Sequence, residues 1–574
     1  MEKSSVKHSM NSEYCYALDK DTIMIRISLK ANDVKEVYLH YQDKYININT
    51  KDTRKKTKMT LVASDGILDY YEAIIKVHMI CIRYYFEFVS NNASNNSHIH
   101  DFYGNNKFFT QNITDIGYMF DCPQPVKEEE MFIVPDWAKG AVVYQIFPDR
   151  FATDKKIDEK KWYKSPMHNK DKLYGNLRGI INKIDYFKDL GIDILYLTPI
   201  FRSNSNHKYD TIDYYQIDPD FGTKEDLREL VSIAHDNNMR VILDGVFNHT
   251  SPNFFAFEDL VKNNEHSKYV NWYYPDSFPI KTTGKPNFLT FGYYGGMPKL
   301  NCSNPEVRNY IYDIVTYWIR ECDIDGWRLD AADEVAHDFW KDLRKKIKSI
   351  KSDALIIGEI WHYTSSYLQG DEWDTIMNYN FRANVDNYFA KHIISASDFV
   401  NEFGFLRGTS HTRVHQLLWN LIDSHDTGRF LHCANEKKAA LKLAVAVQMT
   451  TPGMPMIYYG DEVGLTGGQD PDCRRGMLWD ENRQDKEIYN WYKKLIHIRK
   501  EHSCLTNGNV KYLEIDDNND LIVMRAYNDT EELYIILHNN NTNVEVKSLT
   551  GKINLLTGEQ FNGTVKPYEA IIVS

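Results

Sequence analysis

The pattern of hydrophobic positions changes twice along the chain. Residues 1–122 contain short segments rich in β-branched and aromatic residues, such as TIMIRISLK, EVYLHYQ and CIRYYFEF, which are typical of β-strands. From about residue 135 to 500, short apolar runs alternate with longer segments whose apolar residues recur at helical spacing. After about residue 505 short strand-like segments return, as in LIVMRAY, LYIILHN and AIIVS. This order predicts two β-domains on either side of a larger α/β domain.

Eight apolar runs in the central region are strand candidates: AVVYQIF, DILYLTPIF, RVILDGVF, GWRLDAA, ALIIGEIW, TIMNYNF, LWNLIDSH and MPMIYYG. Helical patterns lie between several of them, for example IINKIDYFKDL, KEDLRELVSIAHDNNM and VRNYIYDIVTYWIREC. This alternation predicts a parallel sheet, and eight strands fit a closed (β/α)₈ barrel, or TIM barrel. The stretch 250–301, between the third and fourth candidates, is much longer than an ordinary barrel loop and predicts an inserted domain.

The length of 574 residues supports several domains. The expected parts are an N-terminal β-sandwich at 1–122, a linker at 123–137, a barrel at 138–504 and a C-terminal β-sandwich at 505–574. The linker is placed at CPQPVKEEE, where prolines and an acidic run interrupt the strand pattern.

Composition and charge exclude several classes of partner. The formal net charge is -12, which disfavours binding to a phosphate backbone, so we expect no nucleic-acid partner. No apolar run has the length needed to cross a bilayer, and the first residues lack the apolar core of a signal peptide. The 8 cysteines are dispersed without CxxC spacing, which is typical of a reduced intracellular protein. A cytoplasmic protein without a membrane partner is therefore expected.

Polar residues cluster at the ends of the predicted strands, where the active site of a barrel enzyme forms. VILDGVFNH supplies Asp244, Asn248 and His249, GWRLD supplies Arg328 and Asp330, IIGEIWH supplies Glu359, Trp361 and His362, and LIDSHD supplies His425 and Asp426. These side chains are expected to converge on one mouth of the barrel.

Paired carboxylates suit the cleavage of a glycosidic bond, because the leaving oxygen needs a proton and the oxocarbenium-like transition state needs negative charge beside it. A separation of about 5–5.5 Å between the two groups predicts retention of configuration. Arg328 precedes Asp330 by two residues, so both point to the same side of a strand, and the cation favours an ionised nucleophile. Glu359 must instead be protonated at rest, and its apolar neighbours Ile357 and Trp361 should raise its pKa.

Several motifs resemble those of glycoside hydrolase family thirteen, the α-amylase family. DGVFNH, GWRLDAADE, GEIW and DSHD match its four main motifs in order. MPKLN resembles a fifth motif of the neopullulanase, cyclomaltodextrinase and maltogenic amylase subgroup, as do YQIFPDRF, NHKYDTIDY and GGQDPDCRR. The similarity covers roughly the whole chain. It implies a retaining, endo-acting α-glycosidase that hydrolyses α-1,4 bonds of cyclodextrins, maltooligosaccharides and pullulan, with some transglycosylation.

The resemblance also implies roles for individual side chains. Asp330 would be the nucleophile, Glu359 the general acid/base and Asp426 the carboxylate that steadies the transition state, while Arg328 supports Asp330. The implied sugar-binding residues are Tyr209, His249 and His425 in the cleavage subsite, Asp470 and Arg474 at the next subsite, and Trp361 on the acceptor side. Asp244 is expected to organise its motif without touching sugar. His207 and His362 stay open between a structural and a functional role.

Relatives in this subgroup often bind calcium near the first barrel loop. Here that loop has the sequence FATDKKIDEKK without the expected Asn-Gly-Asp, and Asn176 stands where relatives often carry Asp. This argues against a calcium site, leaves Asp154 and Asp158 as solvated side chains, and predicts no metal ligands and no required cofactor. The resemblance further implies a homodimer, in which the N-terminal β-sandwich, a carbohydrate-binding-like module, covers the partner's active site.

Two alternatives stay open. An exo-acting α-glucosidase that cuts α-1,6 links, an oligo-1,6-glucosidase, would fail on a cyclic substrate, because a ring has no end. A non-catalytic carbohydrate-binding protein on an amylase fold would typically lack one of the three catalytic carboxylates, and all three are present.

Overall fold

The structure is a computed structural model that describes residues 1–10, 12–45, 54–77, 81–91, 98–123, 131–363 and 365–574. The chain forms two compact units. The first comprises Met1–Ile133, Thr364–Asp371 and Ser397–His415, and the second comprises Val134–Tyr363, Glu372–Ala396 and Gln416–Ser574. Two segments of the predicted barrel region therefore cluster with the N-terminal residues. Residues 124–130 of the predicted linker lie outside the described residues.

The first unit contains two antiparallel sheets. Their strands are β1 (Cys15–Asp19), β2 (Thr22–Lys30), β3 (Glu36–Asp43), β4 (Lys55–Lys58), β5 (Thr60–Ser64), β6 (Leu68–Lys76), β7 (Cys81–Asn91), β8 (His98–Gly104), β9 (Lys107–Phe109) and β10 (Phe120–Pro123). One sheet has the order β1-β2-β6-β5, and the other β4-β3-β7-β8-β9 with β10 paired to β7. Alternate residues of β2, including Ile25 and Ile27, share a core with Tyr84 and Phe86 of β7, as in a sandwich of two facing sheets.

A buried ion-pair cluster explains why the segment 397–415 belongs to this first unit. Glu72 on β6 lies between two arginines, and its carboxylate accepts from Arg26 Nε at 2.9 Å and from Arg407 Nη2 at 2.9 Å. Arg26 also donates to the carbonyl oxygen of Gly408 at 2.7 Å. Burial raises the pKa of Glu72, but the two guanidinium groups outweigh it and lower that pKa to about 2. The cluster stays charged and paired at neutral pH.

The second unit is built on a closed barrel of 8 parallel strands. The strands of this region are β11 (Val143–Ile146), β12 (Ile194–Leu197), β13 (Phe201–Ser203), β14 (Thr211–Ile217), β15 (Arg240–Gly245), β16 (Gly326–Leu329), β17 (Leu355–Gly358), β18 (Thr375–Asn378), β19 (Trp419–Leu421) and β20 (Met454–Tyr458). The hairpin of β13 and β14 lies outside the barrel, which closes where β11 pairs with β20. Each of the eight predicted runs forms one barrel strand, so the predicted barrel is confirmed.

The helices follow the predicted pattern. They are α1 (Pro148–Phe151), α2 (Glu159–Trp162), α3 (Leu177–Ile181), α4 (Ile184–Leu190), α5 (Lys224–Asp236), α6 (Phe255–Asn263), α7 (Pro305–Cys322), α8 (His337–Ile350), α9 (Tyr379–Val385), α10 (Ala396–Thr409), α11 (Thr412–His415), α12 (Phe430–Cys433), α13 (Lys438–Thr450) and α14 (Lys486–Glu501). A capping box of Thr223 and Asp226 starts α5, and Asn304 caps α7 ahead of Pro305. The segment IINKIDYFKDL, predicted as one helix, is divided between α3 and α4.

The inserted stretch 250–301 holds α6 and then mostly irregular chain. Isolated bridges pair His249 with Lys299 and Thr290 with Pro298, so the end of the insertion returns beside the end of β15. No helix in the part of the chain that the structure describes is long and apolar enough to cross a membrane.

Arg499, near the end of α14, donates hydrogen bonds to several main-chain segments at the base of the barrel. Its guanidinium is buried and lies among main-chain carbonyl groups that precede the first and last barrel strands. It donates to the carbonyl oxygens of Gly140, Met449, Thr451, Gly453 and Leu505. One side chain thus donates to backbone carbonyl groups on both sides of the β11/β20 seam.

The chain ends in a small β-sandwich. Its strands are β21 (Asn509–Asp516), β22 (Leu521–Tyr527), β23 (Glu532–His538), β24 (Val544–Glu545), β25 (Thr564–Val565) and β26 (Glu569–Val573). The main sheet has the order β21-β22-β23-β26, and β24 pairs with β25. Val523, Ile536 and Ile571 from the main sheet share a core with Val565 of β25.

Candidate active site

Arg328 forms the centre of a buried charge cluster at the carboxyl ends of three adjacent barrel strands. Its Nη1 atom lies 3.0 Å from Asp244 Oδ1 and 2.9 Å from Asp330 Oδ1, and its Nη2 atom lies 2.8 Å from Glu359 Oε2. Arg328 and Asp244 are 0% and 1% exposed, whereas Asp330 and Glu359 retain 8% and 7%. The guanidinium is thus fully buried, while the two carboxylates beside it keep a small exposed fraction.

Three carboxylates share this single cation, and the pKa values of all three are raised. Burial, and then the charge of Glu359, raise the pKa of Asp330 well above its ordinary value, although Arg328 opposes the shift. Burial also raises the pKa of Glu359, with Arg328 opposing and Asp426 adding to the rise. The pKa of Asp244 rises to about 6, mainly through burial. The expectation of a raised pKa at Glu359 is met, but Arg328 does not keep the pKa of Asp330 low as expected.

A chain of hydrogen bonds fixes the His425 ring. Gln145 Nε2 lies 2.8 Å from His425 Nδ1, and His425 Nε2 lies 2.6 Å from the Tyr209 hydroxyl. Because the amide donates to Nδ1, the proton belongs on Nε2, which also faces Asp426 Oδ2 at 3.1 Å. The Tyr209 hydroxyl in turn donates to Asp244 Oδ2 at 3.0 Å. Burial keeps the pKa of His425 well below its ordinary value, so the ring is neutral.

Asp426 and Asp470 are joined by Arg474. The guanidinium donates to Asp426 Oδ1 at 3.2 Å, lies 2.9 Å from Asp470 Oδ1, and donates to the His425 carbonyl oxygen at 2.7 Å. Arg474 is buried against the Phe147 ring, with a separation of 5.3 Å to the ring centroid. The Asp470–Arg474 pair is thus connected to the cluster of strand-end residues.

The other histidines differ in exposure. His249 is buried, its Nε2 atom lies 3.2 Å from the Tyr209 carbonyl oxygen, and its ring stacks on Phe291 with centroids 4.9 Å apart. Burial lowers the pKa of His249 to about 4, and the pKa of His207 to about 4 as well. The His207 ring stacks on Tyr209 at 5.9 Å, whereas His362 is exposed. His207 therefore lies close to the cluster.

Trp361 stacks on Tyr379 with ring centroids 4.1 Å apart, yet 53% of it stays exposed. Tyr379 supports one face of the indole. This tyrosine is buried, and its hydroxyl lies 3.2 Å from Ser424 Oγ. The arrangement presents one face of an indole to solvent, which suits stacking on a sugar.

Sequence reasoning missed several side chains of the cluster. Gln145 comes from β11, and the Tyr196 hydroxyl on β12 donates to Asp244 at 2.7 Å. Lys299, from MPKLN, donates to Asn248 Oδ1 at 2.6 Å and to Glu334 Oε2 at 2.8 Å. The available signal was a polar or hydroxyl-bearing residue inside an otherwise apolar strand, as in AVVYQIF.

Two polar residues near the first barrel loop are engaged in contacts within the protein. Asn176 uses its side-chain oxygen to accept from the Gly179 amide, and its side-chain nitrogen donates to Asp154 at 2.7 Å. Asp154 and Asp158 are exposed, and the Asp158 side chain caps α2. Among the described residues, no group of three or more His, Cys, Asp or Glu side chains could hold a metal ion.

A closed barrel whose strand ends bring carboxylates together has the arrangement that glycoside hydrolases use. Residues 145–508 match the family described as "Alpha amylase, catalytic domain", and residues 1–124 match "Alpha amylase, N-terminal ig-like domain". The chain belongs to the α-amylase family, and it is a glycoside hydrolase.

Known relatives match nearly the whole chain. A cyclomaltodextrinase of Geobacillus thermopakistaniensis is 39% identical over 570 residues, which cover 98% of this chain and 96% of that protein. Neopullulanase 2 of Thermoactinomyces vulgaris is 36% identical over 588 residues, which cover 99% of each chain. A solved structure of a cyclomaltodextrinase superposes with a TM-score of 0.92 at 34% identity and covers 100% of both chains.

Proposed function

We propose that the protein is a retaining, endo-acting enzyme that hydrolyses α-1,4-glucosidic bonds of cyclodextrins, maltooligosaccharides and pullulan. Some glycosyl units would be transferred to other sugars. The carrying observation is the guanidinium of Arg328, which contacts Asp330 and Glu359 at the ends of adjacent strands. The substrate class rests on relatives named cyclomaltodextrinase and neopullulanase, which are similar over 98% and 99% of this chain.

In the first step, the Asp330 carboxylate attacks the anomeric carbon while Glu359 gives its proton to the glycosidic oxygen. The bond to the leaving sugar breaks, and a covalent glycosyl-enzyme forms. Burial raises the pKa of Glu359, which favours the protonated form that a proton donor needs. Arg328 supports the ionised form of Asp330 when that residue becomes the nucleophile.

In the second step, the Glu359 carboxylate takes a proton from water, and the resulting hydroxide oxygen attacks the anomeric carbon and displaces Asp330. A sugar hydroxyl in place of water gives transglycosylation. Trp361 is proposed as the platform on which that acceptor sugar stacks, because its indole face is exposed. The ratio of transfer to hydrolysis then depends on how well a sugar competes with water there.

The remaining residues are proposed to bind sugar in the cleavage region. Asp426 would steady the transition state, and it lies beside His425. His249, His425 and Tyr209 would contact the sugar that is cleaved, while Asp470 and Arg474 would contact the next sugar.

The catalytic proposal is tested with β-cyclodextrin and starch as parallel substrates. Wild type should release reducing sugar faster from the ring than from starch. Asp330→Asn and Glu359→Gln should each lose both activities, whereas Asp325→Asn, at the other end of β16, should keep both. Equal turnover by wild type and Asp330→Asn would refute the assignment. Retention is checked by the anomeric form of the first product, observed by NMR.

The same assay separates the alternatives. An exo-acting α-glucosidase would leave the ring intact while it shortens maltotriose. A non-catalytic carbohydrate-binding protein would bind maltooligosaccharides without releasing any product. Preference for starch over the ring would indicate the open cleft of an ordinary α-amylase.

We further propose the domain boundaries 1–122, 123–137, 138–504 and 505–574, with an inserted domain at 250–301. The N-terminal domain would mediate a homodimer, as the family resemblance implies, and light scattering coupled to gel filtration tests this by the mass of the particle. A cytoplasmic location is proposed from the dispersed cysteines, and fractionation of the producing cells tests it.

A further inference from the structure

A second pair of carboxyl groups lies deep beside the barrel, outside the residues assigned to substrate. Asp423 follows β19 and Asp461 follows β20, and they are 1% and 4% exposed. Asp423 Oδ2 accepts from the Phe430 amide at 2.6 Å, and Asp461 Oδ1 accepts from Arg429 Nη1 at 2.6 Å. Among the described residues, the other two oxygens, Asp423 Oδ1 and Asp461 Oδ2, are buried without a protein hydrogen-bond donor.

The two carboxyl groups are neighbours, because Asp461 holds the side chain of Arg429 and Asp423 holds the backbone amide of the next residue, Phe430. Burial, and then the charge and hydrogen bond of Asp423, raise the pKa of Asp461 well above its ordinary value. Two ionised carboxylates can only accept hydrogen bonds, so their contact is favourable only when one of them carries a proton. Such a proton belongs to the pair and not to either residue alone.

The charges around the pair leave it short of cations. The titratable groups beside the pair are Arg429, Glu462, Cys433 of α12 and Tyr492 of α14, while Tyr458 and Tyr459 lie beside Arg429. Arg429 is the single cation of this set, and it lies over the Tyr458 ring at 4.2 Å. Burial raises the pKa of Glu462, which Tyr144 and Tyr186 partly oppose through their hydroxyl groups. Arg429 supplies one positive charge beside three buried carboxyl groups, so a proton shared within the group reduces the unpaired charge that is buried.

The pair is attached to the catalytic end through the segment 423–430. Asp423 holds the start of this segment to its end through the Phe430 amide, and Arg429 is held by Asp461. Between these two anchors lie His425 and Asp426. Thus both ends of the loop that carries these two side chains depend on the carboxyl pair.

We propose that Asp423 and Asp461 share a single proton, and that this acid pair positions His425 and Asp426 for the reaction. Loss of the proton at alkaline pH places two negative charges in contact and drives the segment 423–430 away from β20. The positioning role rests on the proposed function, because it takes His425 and Asp426 as substrate contacts. The sharing of the proton does not depend on that function.

Infrared difference spectra of the whole protein test the shared proton. At neutral pH, wild type should show the C=O stretch of a protonated carboxylic acid that both Asp461→Asn and Asp423→Asn lack. Asp325→Asn is the matched control, because that buried carboxylate is surrounded by cations, so only carboxylate bands should change. If Asp461→Asn removed carboxylate bands alone, both groups would be ionised and the proposal would be wrong.

Hydrogen exchange tests the positioning without relying on turnover. The side-chain amide that Asp461→Asn introduces would replace the shared proton at every pH, so this variant should hold the segment where wild type releases it. Exchange of amides in 423–430 should rise in wild type relative to Asp461→Asn as the pH increases, and match at acidic pH. A constant ratio across the pH range would overturn the positioning role.

The pH profile of kcat then links the pair to the reaction. The alkaline fall of kcat on β-cyclodextrin should move upward by about one pH unit or more in Asp461→Asn. Asp461→Ala, which restores no hydrogen bond, should instead lower kcat at all pH values. Superimposable profiles of wild type and Asp461→Asn would contradict the link. An inactive wild type would refute the proposed function, while the infrared and exchange results would still decide on the pair.

Discussion

Asp325 and Asp330 lie at opposite ends of the short strand β16, and their surroundings differ in charge balance. Asp325 lies 2.8 Å from His235, 3.2 Å from Arg240 and 2.9 Å from Lys351. Burial raises its pKa, but His235 and Lys351 outweigh burial and lower that pKa below the ordinary value. At the other end, burial and a second carboxylate raise the pKa of Asp330.

A second carboxylate at the base, two strands further along the barrel, is also balanced by cations. Asp374, just before β18, contacts Arg344 at 2.7 Å and Lys348 at 3.0 Å, and these cations lower its pKa against the effect of burial. Burial alone therefore does not decide how a carboxylate in this barrel titrates; the ratio of cations to carboxylates does. The base of the barrel is balanced for stability, and the catalytic end keeps an excess of negative charge that chemistry can use.

The largest expected effect comes from breaking the catalytic end. Asp330→Asn should reduce kcat on β-cyclodextrin by about 10⁴-fold or more, since it removes the proposed nucleophile. Its melting temperature should stay equal or rise, because a buried carboxylate with too few cations has been neutralised. Parallel turnover and thermal melts measure both. A large fall in melting temperature would mean that this carboxylate is structural.

The next largest effect is expected from a substitution at the base of the barrel. Asp325→Asn should lower stability by about 3 kcal/mol, because Arg240 and Lys351 lose their buried counter-charge. Turnover below the melting temperature should change little. Thermal inactivation and initial rates give the two numbers, and a loss of kcat with unchanged stability would reverse the comparison.

The pH dependence of folding stability should differ between Asp325 and Asp330. The expected effect is intermediate in size, at most about 1.4 kcal/mol per pH unit for each group. Since the folded pKa of Asp325 is lowered, its stabilisation is present above the unfolded value near 3.8 and is lost as pH falls through the folded pKa. Since that of Asp330 is raised, its contribution is lost as pH rises through the folded pKa.

Melting temperatures of wild type and both variants across pH check this. Asp325→Asn should converge on wild type at acidic pH, and Asp330→Asn should gain on wild type as the pH increases. Parallel curves for all three proteins would show that neither aspartate titrates differently in the folded chain.

The smallest effect is expected from Lys351→Met. Asp325 keeps His235 and Arg240, so stability should fall by about 1 kcal/mol. The acid limb of stability should move to higher pH, because the pKa of Asp325 rises when one cation is lost. Thermal melts at two pH values detect both changes. An effect as large as that of Asp325→Asn would mean that Lys351 alone balances the charge.

The barrel was predictable because its strands are short apolar runs separated by amphipathic helices, and the strand-end motifs follow directly from them. The side chains that contact those motifs from other strands were not predictable. Gln145 and Tyr196 contact His425 and Asp244 only after the sheet closes, and sequence distance gives no sign of that meeting.

The expectation that Arg328 keeps the pKa of Asp330 low was wrong for a similar reason. The spacing correctly placed Arg328 beside it, but the same guanidinium also contacts Asp244 and Glu359. The charge on one cation is divided among carboxylates from three strands, and a local pattern shows only one of them. The grouping of 397–415 with the N-terminal sheets likewise depends on Glu72, far away in sequence.

Arg499 has a consequence for how the protein is made. The first barrel strand leaves the ribosome long before the last one, and the carbonyl groups at their seam gain their shared donor only when α14 has been synthesised. The edge of β11 itself has no barrel partner until β20 has been synthesised, and it is open to strands of other nascent chains until then. Slower elongation near the end of the barrel would therefore prolong the period in which the nascent chain can pair with another copy.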